Sequence, residues 1–187
     1  TPAWKRKTFG QAWHAGETLI TSIGQGFILC TPLQLAVMTS RLVNGGRPVL
    51  PRLMKNERAE IQKRKSLQLS PQHLHIVLKG MDKVVNGSLG TARKVVDPSM
   101  KFQFGGKSGS VQVKRISLDE RESGKLKNKD RPWRERDHAM FVAFAPLKSP
   151  RYVVSVVVEH GGGGSTMAAP IARDILAEAL RLNPSKL

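Results

Sequence analysis

Apolar positions recur at helical spacing in three stretches of this chain and at strand spacing in three others. After Thr31-Pro32, the residues Leu33, Leu35, Ala36, Val37 and Met38 predict a helix. Thr31 can cap it, Pro32 suits its first position and Gln34 completes a capping-box spacing. Asn44-Gly45-Gly46 stops it. Ser70-Pro71 repeats the cap-and-proline start, with Leu74, Val77, Leu78, Met81 and Val85 on one face and Asn86-Gly87 at the end. Gly90-Thr91-Ala92 predicts a short helical turn before the Pro98 break. A last helix begins at Ser165 or Thr166, carries Ala168, Ile171, Ala172, Ile175, Leu176 and Ala179 as a continuous stripe, and closes at Asn183-Pro184.

From residue 102 the period changes. Strands are predicted around Phe102 to Val113, from Ala139 to Ala145 and from Tyr152 to Val158, the last two forming a hairpin across a link with Pro146 and Pro150. Val153, Val154, Val156, Val157 and Val158 are apolar on both alternating faces, so that strand is covered on both sides. Residues 114–137, with nine Lys or Arg and six Asp or Glu, form a charged excursion between strands. The basic connector 47–65 is expected to be a solvated loop or hairpin. Residues 1–30 are expected to be irregular, with Trp4 and Trp13 as anchors and Ser22-Ile23-Gly24-Gln25-Gly26 as a tight turn. Helices, then an antiparallel sheet, then a helix laid back on it make an α+β layered fold.

Composition adds one strong bias. Among 187 residues, 31 Lys or Arg face 14 Asp or Glu, a formal +17. That balance suits an acidic partner surface. Aromatic residues make up only 5%, and no recognition element for nucleic acid stands out, so no nucleic acid partner is expected. The single cysteine, Cys30, excludes an intramolecular disulfide and a cysteine-based metal framework. His73 and His75 lie two apart on a helix, on different faces, and do not suit a shared metal; no metal or cofactor is expected. Cys30, His138 and His160 are read as structural.

The chemistry concentrates in Lys107-Ser108-Gly109-Ser110. A Lys, a hydroxyl residue and a Gly in succession occur by chance in about one chain of this size in ten, so the tripeptide alone decides nothing. Its setting at the start of a strand, after Gly105-Gly106 and before a second hydroxyl, gives it weight. Lys107 offers a fixed positive charge to a carboxylate, Ser108 and Ser110 offer hydroxyl donors to the same anion, and Gly109 leaves the ligand room at the strand.

Neighbouring stretches match one family in order: Ser22-Ile23-Gly24-Gln25-Gly26, Thr31-Pro32-Leu33-Gln34-Leu35-Ala36, Val85-Asn86, Gly90-Thr91-Ala92, Gly106-Lys107-Ser108-Gly109, and Phe141-Val142-Ala143-Phe144-Ala145-Pro146. Together they resemble successive landmarks of the class B penicillin-binding proteins, and Thr1-Pro2-Ala3-Trp4-Lys5 with Phe9-Gly10 resembles the elongation type. The resemblance covers nearly the whole chain. It implies the penicillin-binding protein and serine β-lactamase-like transpeptidase fold, and a peptidoglycan D,D-transpeptidase. In that enzyme a serine attacks a D-alanyl-D-alanine bond, the acyl-enzyme passes to an amine of a second stem peptide, and β-lactams acylate the same serine. Lys107, Ser108, Gly109 and Ser110 would be substrate-binding, and the backbone N–H of Ser110 would share the oxyanion hole. Three motifs converge in the family, S-x-x-K, S-x-N and K-[ST]-G; the first two do not occur in residues 1–187.

The expectation is therefore that residues 1–187 are the C-terminal part of the transpeptidase domain, inactive alone, with the nucleophile and its base earlier in a longer protein. Two more strands of the family sheet would come from there and pair beside Tyr152–Val158. The resemblance further implies a membrane anchor outside this chain, the periplasmic face of the inner membrane, and work with a glycosyltransferase and rod-shape complex proteins. Two other readings stay open: a serine β-lactamase or β-lactam sensor of the same fold, which shares the K-[ST]-G strand, and a non-catalytic basic binding module.

Overall fold

The structure is a computed structural model that describes residues 1–54, 65–114, 117–122 and 128–182. Lys55, Arg58, Lys63 and Arg64 of the basic connector, Lys125 and Lys127 of the excursion, and the Asn183-Pro184 stop lie outside the described residues. The chain divides into two compact units, Thr1–Thr31 and Pro32–Leu187.

In the first unit the expectation of irregular chain gives way to two helices, α1 (Pro2–Phe9) and α2 (Ala15–Ser22). Local signals are strong enough for short elements. Trp4 N–H donates to Thr1 Oγ1 at 3.2 Å, Pro2 takes the first helical position, and Gly10 ends α1 at φ 67°. His14 N–H donates to Glu17 Oε2 at 2.8 Å, the returning half of a capping box. What pattern reading misses is Lys5, which is 1% exposed. Its ammonium donates to the Ala12 carbonyl at 2.7 Å and to Glu17, and sits 5.2 Å from the centre of the Phe27 ring. A lysine reads as surface in any periodic scan, yet here it ties α1 to α2 as a desolvated, partnered charge. That bond, with the His14 N–H, holds the Glu17 carboxyl below its ordinary range. Trp4 packs edge-on to Phe9 and Phe27 as expected of an anchor, and Gly24 and Gly26 adopt φ 76° and 81° in the expected turn.

The second unit holds α3 (Pro32–Val43), α4 (Pro71–Asn86), β1 (Gly105–Val111), α5 (Leu118–Glu122), β2 (His138–Ala145), β3 (Tyr152–Val158) and α6 (Ala169–Leu182). The short helical turn expected to begin at Gly90-Thr91-Ala92 is the 3₁₀ turn Arg93–Val95, with Arg93 N–H donating to the Gly90 carbonyl at 3.1 Å. On α4, Leu74, Leu78, Met81 and Val85 turn inward, while Val77 is 44% exposed and leaves the stripe.

The strands form an antiparallel sheet in the order β1-β2-β3. Lys107 faces Val142, Gly109 faces Met140 and Ser110 faces Ala139; Phe141 in turn faces Val156. Side chains alternate along each strand, so Ala139, Phe141, Ala143 and Ala145 share one face. They are buried with Ala168, Ala169, Ala172 and Leu176, which start and line α6, and with Val85, Ala92, Val95 and Phe104. Burying this aliphatic and aromatic area is the main favourable contribution to the unit. On β3 the residues of both faces are withdrawn from solvent, with α3 and α6 both packed on it. Among the described residues β1 and β3 are the edge strands.

The charged excursion is less free than its sequence suggests. Its far end, 128–137, is tied down by a reciprocal pair between Asn128 and Asp137, each bond 3.0 Å, and by Gly162 N–H donating to the Asp137 carbonyl at 2.8 Å. Lys114 and Glu135, 3.0 Å apart, close its two ends together. Residues with hydrogen-bonding side chains at fixed positions can anchor a loop whose overall composition is that of a solvated one.

Candidate active site

Alternation along β1 puts Lys107 and Gly109 on one face of the sheet, and Ser108 and Ser110 on the face shared with Phe141 and Ala139. The sequence alone suggested that the ammonium and both hydroxyls aim at one anion. On an edge strand they still can, because a ligand lying along the edge is reached from above and below. In an antiparallel ladder alternate residues turn both backbone groups toward the partner, and the others turn both away. The Ser108 carbonyl accepts from Lys107 Nζ at 2.6 Å, a bond made outside the ladder. Ser108 is thus an outward residue, and Ser110, two positions on, turns its N–H the same way. Lys107 and Ser110 are exposed, and Ser108 and Gly109 are half-buried.

Three supports fix this strand. At its start, Asn86 Nδ2 at the end of α4 donates to the Phe104 carbonyl at 3.0 Å and is itself held by Asp82 Oδ1 at 2.8 Å. Beside its middle, Thr91 Oγ1 stands 3.4 Å from Ser108 Oγ. Under it, the π-helical turn Gly164–Ala168 that leads into α6 rests on the backbone of the Gly109–Met140 pair. A Cβ on Gly164 would lie 2.2 Å from the Met140 carbonyl oxygen and 2.5 Å from that of Gly109, so only glycine permits this approach. On Gly109 itself the protein's own packing does not require glycine: a Cβ there would meet only Met140 Cβ, at 3.5 Å, an ordinary contact. Asn86 and Thr91 stood in the sequence as helix stop, turn and family landmarks, and Gly164 as one of a run of glycines, with nothing to show that they support β1.

Charged groups near these supports are paired. Arg173 on α6 donates to the Val95 carbonyl at 3.2 Å, and its bond to Asp174 raises its pKa further above an already high value. Asp97 is held below its ordinary range by the backbone N–H and hydroxyl of Ser99. His138 and His160 serve structure as expected: His160 N–H donates to His138 Nδ1 at 2.9 Å, and Trp133 lies against the His160 ring. Cys30 is exposed, against the expectation of a structural role. Among the described residues no three His, Cys, Asp or Glu side chains come together as a metal site. A hollow of about 480 Å³ lies at the β2–β3 link between Phe144, Leu147, Lys148 and α4, and none of Lys107 to Ser110 lines it.

The family model for the penicillin binding protein transpeptidase domain matches residues 5–177. A curated relative, the peptidoglycan D,D-transpeptidase MrdA of Haemophilus influenzae, is 38% identical over 184 residues, covering 94% of this chain and 28% of the relative. The chain thus spans under a third of that relative's length. Among solved structures, penicillin-binding protein PBP2 of Helicobacter pylori, in a complex with MreC, superposes with a TM-score of 0.76 at 31% identity, over 97% of this chain and 30% of that one. PBP2 of Pseudomonas aeruginosa in complex with WCK 5153 gives a TM-score of 0.74 at 37% identity, over 97% of this chain and 37% of that one.

Proposed function

This chain belongs to the penicillin-binding protein transpeptidase domain family, and we propose that residues 1–187 are the C-terminal part of the transpeptidase domain of a peptidoglycan D,D-transpeptidase of the elongation type. The observation that carries the proposal is β1: an edge strand with Lys107, Ser108 and Ser110 ranged along it, in a chain aligned over nearly its full length with proteins of that activity. One wall of a cleft is what such a strand can supply. The nucleophile, its base and the opposite wall come from the larger share of the protein.

In the whole enzyme Lys107 and the two hydroxyls hold the carboxylate of a donor stem peptide, or of a β-lactam that imitates it. The outward N–H of Ser110 and the nucleophile's own N–H receive the oxyanion of the tetrahedral intermediate, where charge develops. Acylation then passes to deacylation by an amine of a second stem peptide. The partners are a rod-shape protein, as MreC is for the Helicobacter pylori relative, and a glycosyltransferase. The protein works at the periplasmic face of the inner membrane. Among the described residues no helix is long and apolar enough to cross a membrane; in this reading an anchor is carried by the rest of the protein.

Fluorescent penicillin tests this reading. The full-length protein is expected to take up the label covalently at one serine outside residues 1–187, and the chain alone is expected to take up none. A stable adduct within residues 1–187, located by mass spectrometry, contradicts the assignment.

A further inference from the structure

Ser108 has one proton to give, and in the proposed site an anion claims it. A hydroxyl carries a single donor and two acceptor lone pairs, so when Ser108 donates to a carboxylate its oxygen is left to accept. The group standing there is Thr91 Oγ1, 3.4 Å away. We propose that Thr91 is a positioning residue for this site: its hydroxyl donates to Ser108 Oγ, turns the serine proton toward the carboxylate, and strengthens that donation through a polarised chain of two hydroxyls. The inference rests on the reading of β1 as the carboxylate-binding strand.

Thr91 is built into this place. Gly90 precedes it, and a Cβ on Gly90 would lie 2.5 Å from the Val84 carbonyl oxygen and 2.6 Å from that of Lys83, so the chain must pass α4 here without a side chain. Ala92 follows, 1% exposed, with its N–H donating to the Val84 carbonyl at 2.9 Å. Val95 is buried in the same core, and its carbonyl takes the Arg173 guanidinium from α6. The turn is therefore fixed against α4 and α6 around Thr91, whose side chain reaches β1. A distance of 3.4 Å is long for two hydroxyls, and a short closure when Ser108 turns to a bound anion brings it into the usual range.

The test uses the full-length protein and the second-order rate of acylation by penicillin. Thr91→Val keeps the shape and removes the hydroxyl; it is expected to slow acylation about three- to tenfold, the worth of one neutral hydrogen bond. Thr91→Ser restores the hydroxyl and is expected to return near the parent rate, which a purely packing role would not predict. In a Ser108→Ala background, Thr91→Val is expected to have no further effect, because the pair acts as one unit. Thr91→Ala is the second variant should the valine lower the melting temperature. If Ser108→Ala slows acylation but the Thr91 variants do not, or if Thr91→Val costs as much without Ser108 as with it, the positioning role is wrong and the reading of β1 stands. If neither Ser108→Ala nor Lys107→Ala slows acylation, the reading of β1 fails and this inference falls with it.

Discussion

At Ser110 the hydroxyl and the backbone N–H can be separated by substitution. Ser110→Ala removes a donor to the carboxylate and leaves the N–H in place. Acylation of the full-length protein is expected to slow by the value of one hydrogen bond to a charged group, about 1.5–3 kcal/mol, or roughly ten- to a hundredfold. Ser110→Pro deletes the N–H and disturbs β1, and is expected to be worse, since one oxyanion donor alone is worth on the order of a hundred- to a thousandfold. Equal rates for the two variants would mean that the N–H has no part in acylation. At this scale the proposed site was legible because its residues are consecutive: Lys107 to Ser110 stand side by side in the chain and on the strand. Thr91 escaped because its partner is 17 positions away, and no local pattern encodes that distance. Lys5 escaped because a charged side chain is assigned to the surface until its partners, Ala12 and Glu17, are seen.

Among the elements, α3, α4, α6, β2 and β3 were legible because each carries a sustained apolar period with turn residues at its ends, whereas β1, Gly-Gly-Lys-Ser-Gly-Ser-Val, was legible from its place after the change of period near residue 102. The helices α1 and α2 were not: each has eight residues, and the bonds that hold them are caps and a buried ammonium, not a hydrophobic stripe. The support under β1 was hidden for a related reason, since four consecutive glycines, Gly161 to Gly164, have the composition of a flexible turn while the structure uses Gly164 as a close contact. Gly164→Ala puts a methyl group where two carbonyl oxygens already lie, and the adjoining backbone of Gly109 must move. Overpacking of this kind is expected to cost about 1–3 kcal/mol of stability and to lower the melting temperature of the full-length protein. Acylation should slow as well, through displaced Ser108 and Ser110. A variant with parent stability and parent rate would show that this contact does not hold the strand.

For the whole molecule, the family was legible because its landmarks are spread along the chain in order, and a coincidence at one of them does not repeat at the next. The architecture of α+β layers followed from the change of period near residue 102. How the basic residues are used did not follow, because a formal +17 is a sum over the chain, whereas the structure spends Lys5, Arg131 and Arg173 on internal pairs. The central claim is that β1 forms one wall of the acylation site, and Lys107 carries its only side-chain positive charge. The second-order rate of acylation by penicillin in full-length Lys107→Ala, with folding checked by thermal melting and Lys148→Ala at the hollow beside the β2–β3 link as the charge control, tests it most directly. The account predicts a loss of roughly ten- to a hundredfold for Lys107→Ala, the worth of one charged partner of the carboxylate, and the parent rate for Lys148→Ala. A folded Lys107→Ala protein that acylates at the parent rate would contradict it.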